Sequence, residues 1–271
     1  MKRVFITGAS SGIGAALARE YAAQGATLGL LARRRGALDA LVASLPNGAS
    51  HKVYAVDVLD HAALAAACAD FIACAGGADI VIANAGVSHG TLTEHAQDLA
   101  VFETIFATNV SATVATFAPF IASMKAQAAE GARSSRTRAP TLVGIASVAG
   151  IRGLPGAGAY SASKAAVLSY CESLRVEMKP HGIRVVTLAP GYIDTPMTQG
   201  NPYPMPFLMP ADRFARKAAA AIAAGASYRV IPWQMGVVAK LLRALPNGVY
   251  DLASAGARRK PRKADQAETV P

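Results

Sequence analysis

The sequence predicts an α/β fold: a Rossmann-like, doubly wound parallel sheet of about seven strands, with helices on both faces, in a single domain. Three observations predict it. Short β-branched or apolar runs alternate with long Ala-rich stretches along the chain, and that alternation builds right-handed βαβ units. The runs read apolar throughout, as in Asp79-Ile80-Val81-Ile82-Ala83, which suits strands covered on both faces. The length, 271 residues, is that of one α/β domain of about 250 residues and can bury a large core without disulfides or structural metal.

In such a sheet ligands bind beyond the C-terminal strand ends, where strand order reverses, so each strand end is a candidate site. The first strand, 2–7, stops at Thr7-Gly8, and a helix over 12–24 opens from the turn Gly8-Ala9-Ser10-Ser11-Gly12-Ile13-Gly14. Its three glycines allow a tight turn and close approach to a pyrophosphate on the helix N-terminus. The spacing is G-x-x-x-G-x-G, not the common G-x-G-x-x-G. The second strand, 26–32, runs into Arg33-Arg34-Arg35 ahead of a helix over 35–45. No acidic acceptor for a ribose 2′-hydroxyl stands here; an Arg fork suits a 2′-phosphate. Cations at a helix N-terminus also oppose the macrodipole, which favours a functional reason for them.

The third strand, 52–56, ends Val56-Asp57-Val58, and Asp60 is placed to cap a helix over 60–75. The fourth, 79–83, ends in the small turn Asn84-Ala85-Gly86 before a long helical stretch, 97–129. The fifth, 141–146, ends at Ser147, and a helix over 158–179 carries Tyr160 and Lys164. Positions i and i+4 share a helix face. A phenol titrates near about 10; moving it to about 7 takes about 4 kcal/mol, a task for a nearby ammonium. The sixth strand, 183–189, leads to Pro190-Gly191 and then to a Pro/Met-rich run, 196–210, whose prolines at 202, 204, 206 and 210 forbid helix or strand in its centre. That run reads as a lid over a substrate. A helix over 210–224 and a strand over 228–231 close the sheet.

Composition excludes other classes. The chain is 52% hydrophobic and 16% charged, which rules out a disordered or collagen-like protein. Three cysteines, Cys68, Cys74 and Cys171, form no CxxC and point to a reducing cytoplasm. The first apolar run is too short for a signal peptide, and no charge-free apolar stretch long enough to span a bilayer is expected. His89 and His95 lack further ligands, so no metal is expected. The formal net charge is +10. Residues 131–140, with Arg133, Arg136 and Arg138, carry +3; residues 240–263 carry +6; the remainder carries +1. That distribution is not the stripe of a nucleic-acid-binding face.

The chain resembles the short-chain dehydrogenase/reductase family, of the Tyr-x-x-x-Lys, NADP-preferring type. The resemblance spans about residues 3–195. It rests on the turn 8–14, Asn84-Ala85-Gly86, Thr108-Asn109-Val110, Ser147, Tyr160-Ser161-Ala162-Ser163-Lys164 and Pro190-Gly191, in that order. It implies hydride transfer between nicotinamide and a carbonyl or secondary alcohol. Tyr160 would be the acid/base, Ser147 would stabilise the carbonyl oxygen, and Lys164 would hold the ribose and lower the Tyr160 pKa. Asn109 would position a relay water, although its gap of 38 residues to Ser147 is wider than the family habit; the basic stretch 131–140 explains this as an insertion.

For the cofactor, the resemblance implies that Gly8, Ser10, Ser11, Gly12, Ile13 and Gly14 wrap the pyrophosphate side. Arg33, with Arg34 as helper, selects NADP(H) over NAD(H). Asp57 and Val58 meet the adenine; Asn84, Ala85 and Gly86 meet the adjoining ribose region; Pro190, Gly191, Ile193 and Thr195 hold the carboxamide end. The lid, rich in Met and aromatics, suits a hydrophobic substrate. An NAD-dependent dehydrogenase and a non-catalytic cofactor-binding protein are the alternatives.

The expected division is a catalytic domain over 1–231, with its lid over about 192–212, and a C-terminal extension over 232–271. In the extension Met235, Val238, Leu242 and Leu245 share a stripe, with Val237 and Leu241 beside it, and Pro246 breaks the helix. This reads as a helix that caps the cleft or meets a second subunit, followed by a disordered basic tail. The alternative is peripheral contact with an anionic membrane through that tail. The family usually forms dimers or tetramers through the helices near 103–129 and 158–179.

Overall fold

The computed structural model of the chain describes residues 1–134, 139–256 and 258–262. The predicted insertion falls partly outside this range, at 135–138, and so does the tail beyond 262. In chain order the elements are β1 (Arg3–Thr7), α1 (Gly12–Ala23), β2 (Thr27–Ala32), α2 (Arg35–Ala43), β3 (Lys52–Ala55), α3 (His61–Ala75), β4 (Ile80–Ala83), α4 (Asp98–Phe106) and α5 (Ala112–Ser134). There follow β5 (Thr141–Ile145), α6 (Gly158–Met178), β6 (Arg184–Pro190), β7 (Ile193–Asp194), α7 (Pro196–Gln199), β8 (Met209–Pro210), α8 (Ala211–Ala223), β9 (Tyr228–Ile231), α9 (Trp233–Ala244) and α10 (Asn247–Ser254).

Seven strands form one parallel sheet in the order β3-β2-β1-β4-β5-β6-β9. Strand alternation divides the core into two layers. Val4, Ile6, Ile82 and Val143 point to one face and meet Leu17, Leu38, Phe214 and Ile222 from α1, α2 and α8. Phe5, Val81 and Leu142 point to the other and meet Phe71, Phe117, Phe120 and Cys171 from α3, α5 and α6. Both faces are therefore covered, as the uninterrupted apolar strands require. Asp60 caps α3 by accepting from Ala63 N at 2.9 Å. Cys171 is fully buried and packs as a small apolar residue.

One expectation changes here. Residues 98–132 form one helical run with a window of mean hydropathy 1.5, long and apolar enough to cross a membrane by length and composition. The local reason for much of that apolarity is packing: Phe117, Phe120 and Met124 are buried in the core. The Pro/Met-rich run is irregular in its centre, 200–208, as its prolines require, and regular only at its ends. Pro196 opens a one-turn helix, where its missing N–H costs nothing, and β8 pairs with β7.

Candidate active site

Strand order reverses between β1 and β4, and the residues that follow these strands wall a cleft of about 350 Å³. Every residue assigned from the resemblance lines this cleft except Gly14 and Asn109, which support it from behind. Gly8 and Gly12 hold φ of +67° and +53°, a region that disfavours side chains. A Cβ on Gly14 would lie 2.2 Å from the Gly8 carbonyl oxygen and 2.6 Å from Asn84 Nδ2, so the turn folds back on its own helix. Asn84 Nδ2 donates to the Thr7 and Gly8 carbonyls at 3.0 and 3.2 Å; its amide shapes the turn. Ser11 caps α1 without a side-chain hydrogen bond, which leaves the first N–H groups of the helix for an anion. This cradle fits a cofactor pyrophosphate.

At the far end, Arg33 is 72% exposed, with Nη1 3.8 Å from Asp57. Arg34 Nη2 donates to Ser10 Oγ at 3.3 Å. Arg35 instead pairs with Asp39 along its own helix at 2.9 Å, so two of the three arginines face the cleft.

The reacting end is built by β5 and α6. Ser147 follows β5 and caps a 3₁₀ turn, Val148–Gly150, accepting from Ala149 N at 3.1 Å. A Cβ on Gly150 would lie 2.6 Å from the Lys164 backbone carbon. That close approach presses the turn onto α6 and brings Ser147 to the side of the Tyr160 phenol. Lys164 Nζ donates to the Ile145 carbonyl at 2.8 Å and stands 5.8 Å from the Tyr160 ring centroid.

Burial raises the Tyr160 phenol above its ordinary value, and the nearby Ser147 hydroxyl offsets part of this. Burial also pushes the Lys164 ammonium down to about 8. The expected depression of the Tyr160 pKa by Lys164 does not set the direction of the shift, which burial governs. The ammonium lies over the Tyr160 ring and is held by the Ile145 carbonyl.

Asn109 occupies a π-helical turn, Ala107–Ser111, between α4 and α5, a distortion frequent at functional sites. Its amide donates to the Val87 carbonyl at 3.0 Å and to Ser163 Oγ at 2.9 Å, and its Oδ1 accepts from Val87 N at 2.8 Å. A Cβ on Gly86 would meet Asn109 Oδ1 at 3.1 Å and Lys164 Nζ at 3.6 Å. Asn109 thus ties the turn after β4 to the helix of Tyr160.

The substrate side contains residues that sequence reasoning did not assign. Tyr192 and Tyr203 meet with ring centroids 6.3 Å apart, and the Tyr203 phenol is pushed up to about 12 by burial, with a smaller contribution from Tyr160. Met235 from α9 packs on Gly191, where a Cβ would come within 2.7 Å of Met235 Cγ. The extension therefore buttresses the cleft.

The expected disordered tail is corrected at 258–262, while 257 and 263–271 lie outside the described residues. Residues 258–262 are a strap across the cleft side. Pro261 O accepts from Gly90 N at 3.1 Å, Arg258 donates to the Pro202 carbonyl at 3.1 Å, and Arg262 pairs with buried Asp98 at 3.0 Å. Asp98 also accepts from Leu92 N at 2.8 Å. Partners 56 and 164 residues distant in sequence give no local signal. Gly150 (close to Ser147), Tyr192 (between Gly191 and Ile193) and Val87 (next to Gly86) were omissions that proximity could have suggested.

Among the described residues no group of three His, Cys, Asp or Glu side chains could hold a metal. The short chain dehydrogenase family profile matches residues 2–203. An uncharacterized oxidoreductase of Myxococcus xanthus is 34% identical over 254 residues, covering 93% of this chain and 96% of the relative. A 3-ketoacyl-(acyl-carrier-protein) reductase of Brucella melitensis, solved with NADH, superposes with a TM-score of 0.72 at 26% identity, over 85% of this chain and 96% of that one. A short chain dehydrogenase of Burkholderia cenocepacia, solved with NADP, shares the fold with a TM-score of 0.78 at 22% identity, over 95% of this chain and 100% of that one. This chain belongs to the short-chain dehydrogenase/reductase family, oxidoreductases that bind nicotinamide cofactors and act on CH–OH and C=O groups.

Proposed function

We propose that the protein is an NADP(H)-dependent reductase or dehydrogenase of a carbonyl or secondary alcohol, with Tyr160 as acid/base. The observation that carries this reading is the convergence of Ser147, Tyr160 and Lys164 at one end of a cleft whose other end holds Arg33 and Arg34. The bound nicotinamide supplies or accepts the hydride. In reduction, Ser147 and Tyr160 donate hydrogen bonds to the carbonyl oxygen, which aims the carbonyl carbon and holds the growing negative charge. The Tyr160 phenol then gives its proton to that oxygen, so a ketone gains one hydride and one proton. Lys164, held by the Ile145 carbonyl, keeps a positive charge behind the phenolate, and Asn109 holds that end of α6 in register. Arg33 and Arg34 bind the 2′-phosphate by charge and forked hydrogen bonds.

The test is NADPH oxidation with a panel of ketones and aldehydes, wild type against Tyr160→Phe. Tyr160-dependent turnover supports the reading; tight NADPH binding with no turnover of any carbonyl refutes it. The lid tyrosines and Met197 favour a substrate with an apolar body. Exposed Leu99, Phe102, Val114 and Val176 on α4, α5 and α6 support assembly into a dimer or tetramer through these helices.

A further inference from the structure

The strap places a cation at the substrate end of the cleft. Lys260 Nζ donates to Ser88 Oγ at 3.0 Å and approaches the Met197 carbonyl at 3.5 Å. Ser88 follows Val87 after β4, and Met197 opens the lid; Val87 and Met197 both line the cleft. The ammonium therefore bridges the two rims of the substrate opening. Among the described residues no carboxylate lies within 4.0 Å of it. Its hydrogen-bond partners are a neutral hydroxyl and a neutral carbonyl, and an ammonium has three donors. Burial holds its pKa below the ordinary lysine value, the mark of a charge that lacks compensation.

The rest of the strap fixes this position. Arg262 is bound on both sides of its fork to Asp98, at 3.0 and 3.1 Å. A Cβ on Gly90 would lie 2.2 Å from the Lys260 carbonyl oxygen, so the strap lies directly on the backbone. Arg258 holds the lid at Pro202, and the Arg259 side chain runs along Gly156. With Arg262 neutralised by Asp98, the cationic groups left on the strap are Arg258, Arg259 and Lys260, which makes the opening positive and favours entry of anions.

Resting on the proposed carbonyl chemistry of the same site, we propose that Lys260 is a specificity-determining residue and that the substrate carries an oxyanion, a carboxylate or a phosphate, which Lys260 binds while its carbonyl meets Tyr160. The apolar body of the substrate then lies between the lid tyrosines, with its charged end at the strap.

The test compares para-acetylbenzoate with its methyl ester, and a series of keto acids of increasing chain length with their esters. The corresponding ketophosphonates separate phosphate from carboxylate preference. The wild type is expected to prefer the acid of the best-fitting length, and Lys260→Met to lower its kcat/KM by about tenfold to a hundredfold, the value of one charge-assisted hydrogen bond. The loss falls on KM with kcat nearly unchanged; the ester is unaffected, and Lys260→Arg retains most of the preference. An acid-to-ester ratio equal in wild type and Lys260→Met overturns the proposal. Acid binding to NADPH-loaded Tyr160→Phe protein, with and without Lys260→Met, is measured by calorimetry. That arm reads Lys260 without turnover, so the anion site and the carbonyl chemistry fail separately.

Discussion

Replacing Arg262 by Gln tests whether the strap is a structural part of the enzyme. The Arg262 side chain is 14% exposed and Asp98 is 5% exposed. Removing one partner of a buried pair costs about 3–5 kcal/mol where the other charge stays buried. Asp98 opens α4 under the strap, so release of the strap readmits water to the carboxylate. The loss is then bounded by the charge-assisted hydrogen bonds, about 1.5–3 kcal/mol. At about 2–4 °C per kcal/mol for a domain of this size, Tm at neutral pH falls by about 3–12 °C. The pH dependence has a definite sign. The hydrogen bonds to Arg262 hold the Asp98 carboxyl below its ordinary value of 3.8. The pair's contribution is present above that unfolded value and disappears as pH falls through the lower folded one. The Tm gap between wild type and Arg262→Gln is therefore full at neutral pH and closes in acid. Thermal unfolding followed from acid to neutral pH, with limited trypsin digestion of the strap, measures this. An unchanged Tm at neutral pH, with the strap no more open to trypsin, would show that it is not docked as described.

Other outcomes follow from the site. Tyr160→Phe is expected to lower kcat by about 10²–10⁴ while the Kd for NADPH stays near wild type; equal turnover would remove Tyr160 from the chemistry. Arg33→Ala should raise the KM for NADPH by about tenfold or more and leave NADH nearly unaffected; similar changes for both cofactors would count against 2′-phosphate recognition. Lys164 titrates at about 8 in the fold against an ordinary 10.5, so the unfolded chain binds more protons between those values. Wild-type stability relative to Lys164→Met should thus rise across that window, by up to about 1.4 kcal/mol per pH unit. Parallel denaturation curves at each pH would mean that the ammonium is not desolvated. Gly14→Ala must move the Gly8 carbonyl or Asn84, at about 1–3 kcal/mol, and should weaken cofactor binding; calorimetry with NADPH checks this, and unchanged affinity would mean that the turn tolerates a side chain.

The sheet was legible because its signals are local. Uninterrupted apolar strands, helical stretches between them and Asp60 as a cap are properties of neighbouring residues, and both core layers follow from strand alternation. The ends of the elements were less sharp: the expected single helix over 97–129 contains a π-helical turn at 107–111, which no spacing announced. The residues of the cleft were legible through their motifs, and all but Gly14 and Asn109 line it directly. The electrostatics were not. An i, i+4 spacing places Lys164 beside Tyr160, but it does not reveal the burial that raises the phenol or the Ile145 carbonyl that holds the ammonium from across the fold.

The C-terminal segment marks the boundary most clearly. As sequence, Arg258-Arg259-Lys260-Pro261-Arg262 is a basic, proline-containing run, and composition alone reads it as a solvated tail. What decides its conformation is Asp98, Gly90, Ser88 and the lid, all distant along the chain and brought together only by the sheet. The sequence by itself determined the fold class and the chemical groups available, because periodicity and motif spacing are short-range. The tertiary structure decided which charges are compensated: Arg262 pairs with Asp98, while Arg258, Arg259 and Lys260 have no carboxylate partner among the described residues.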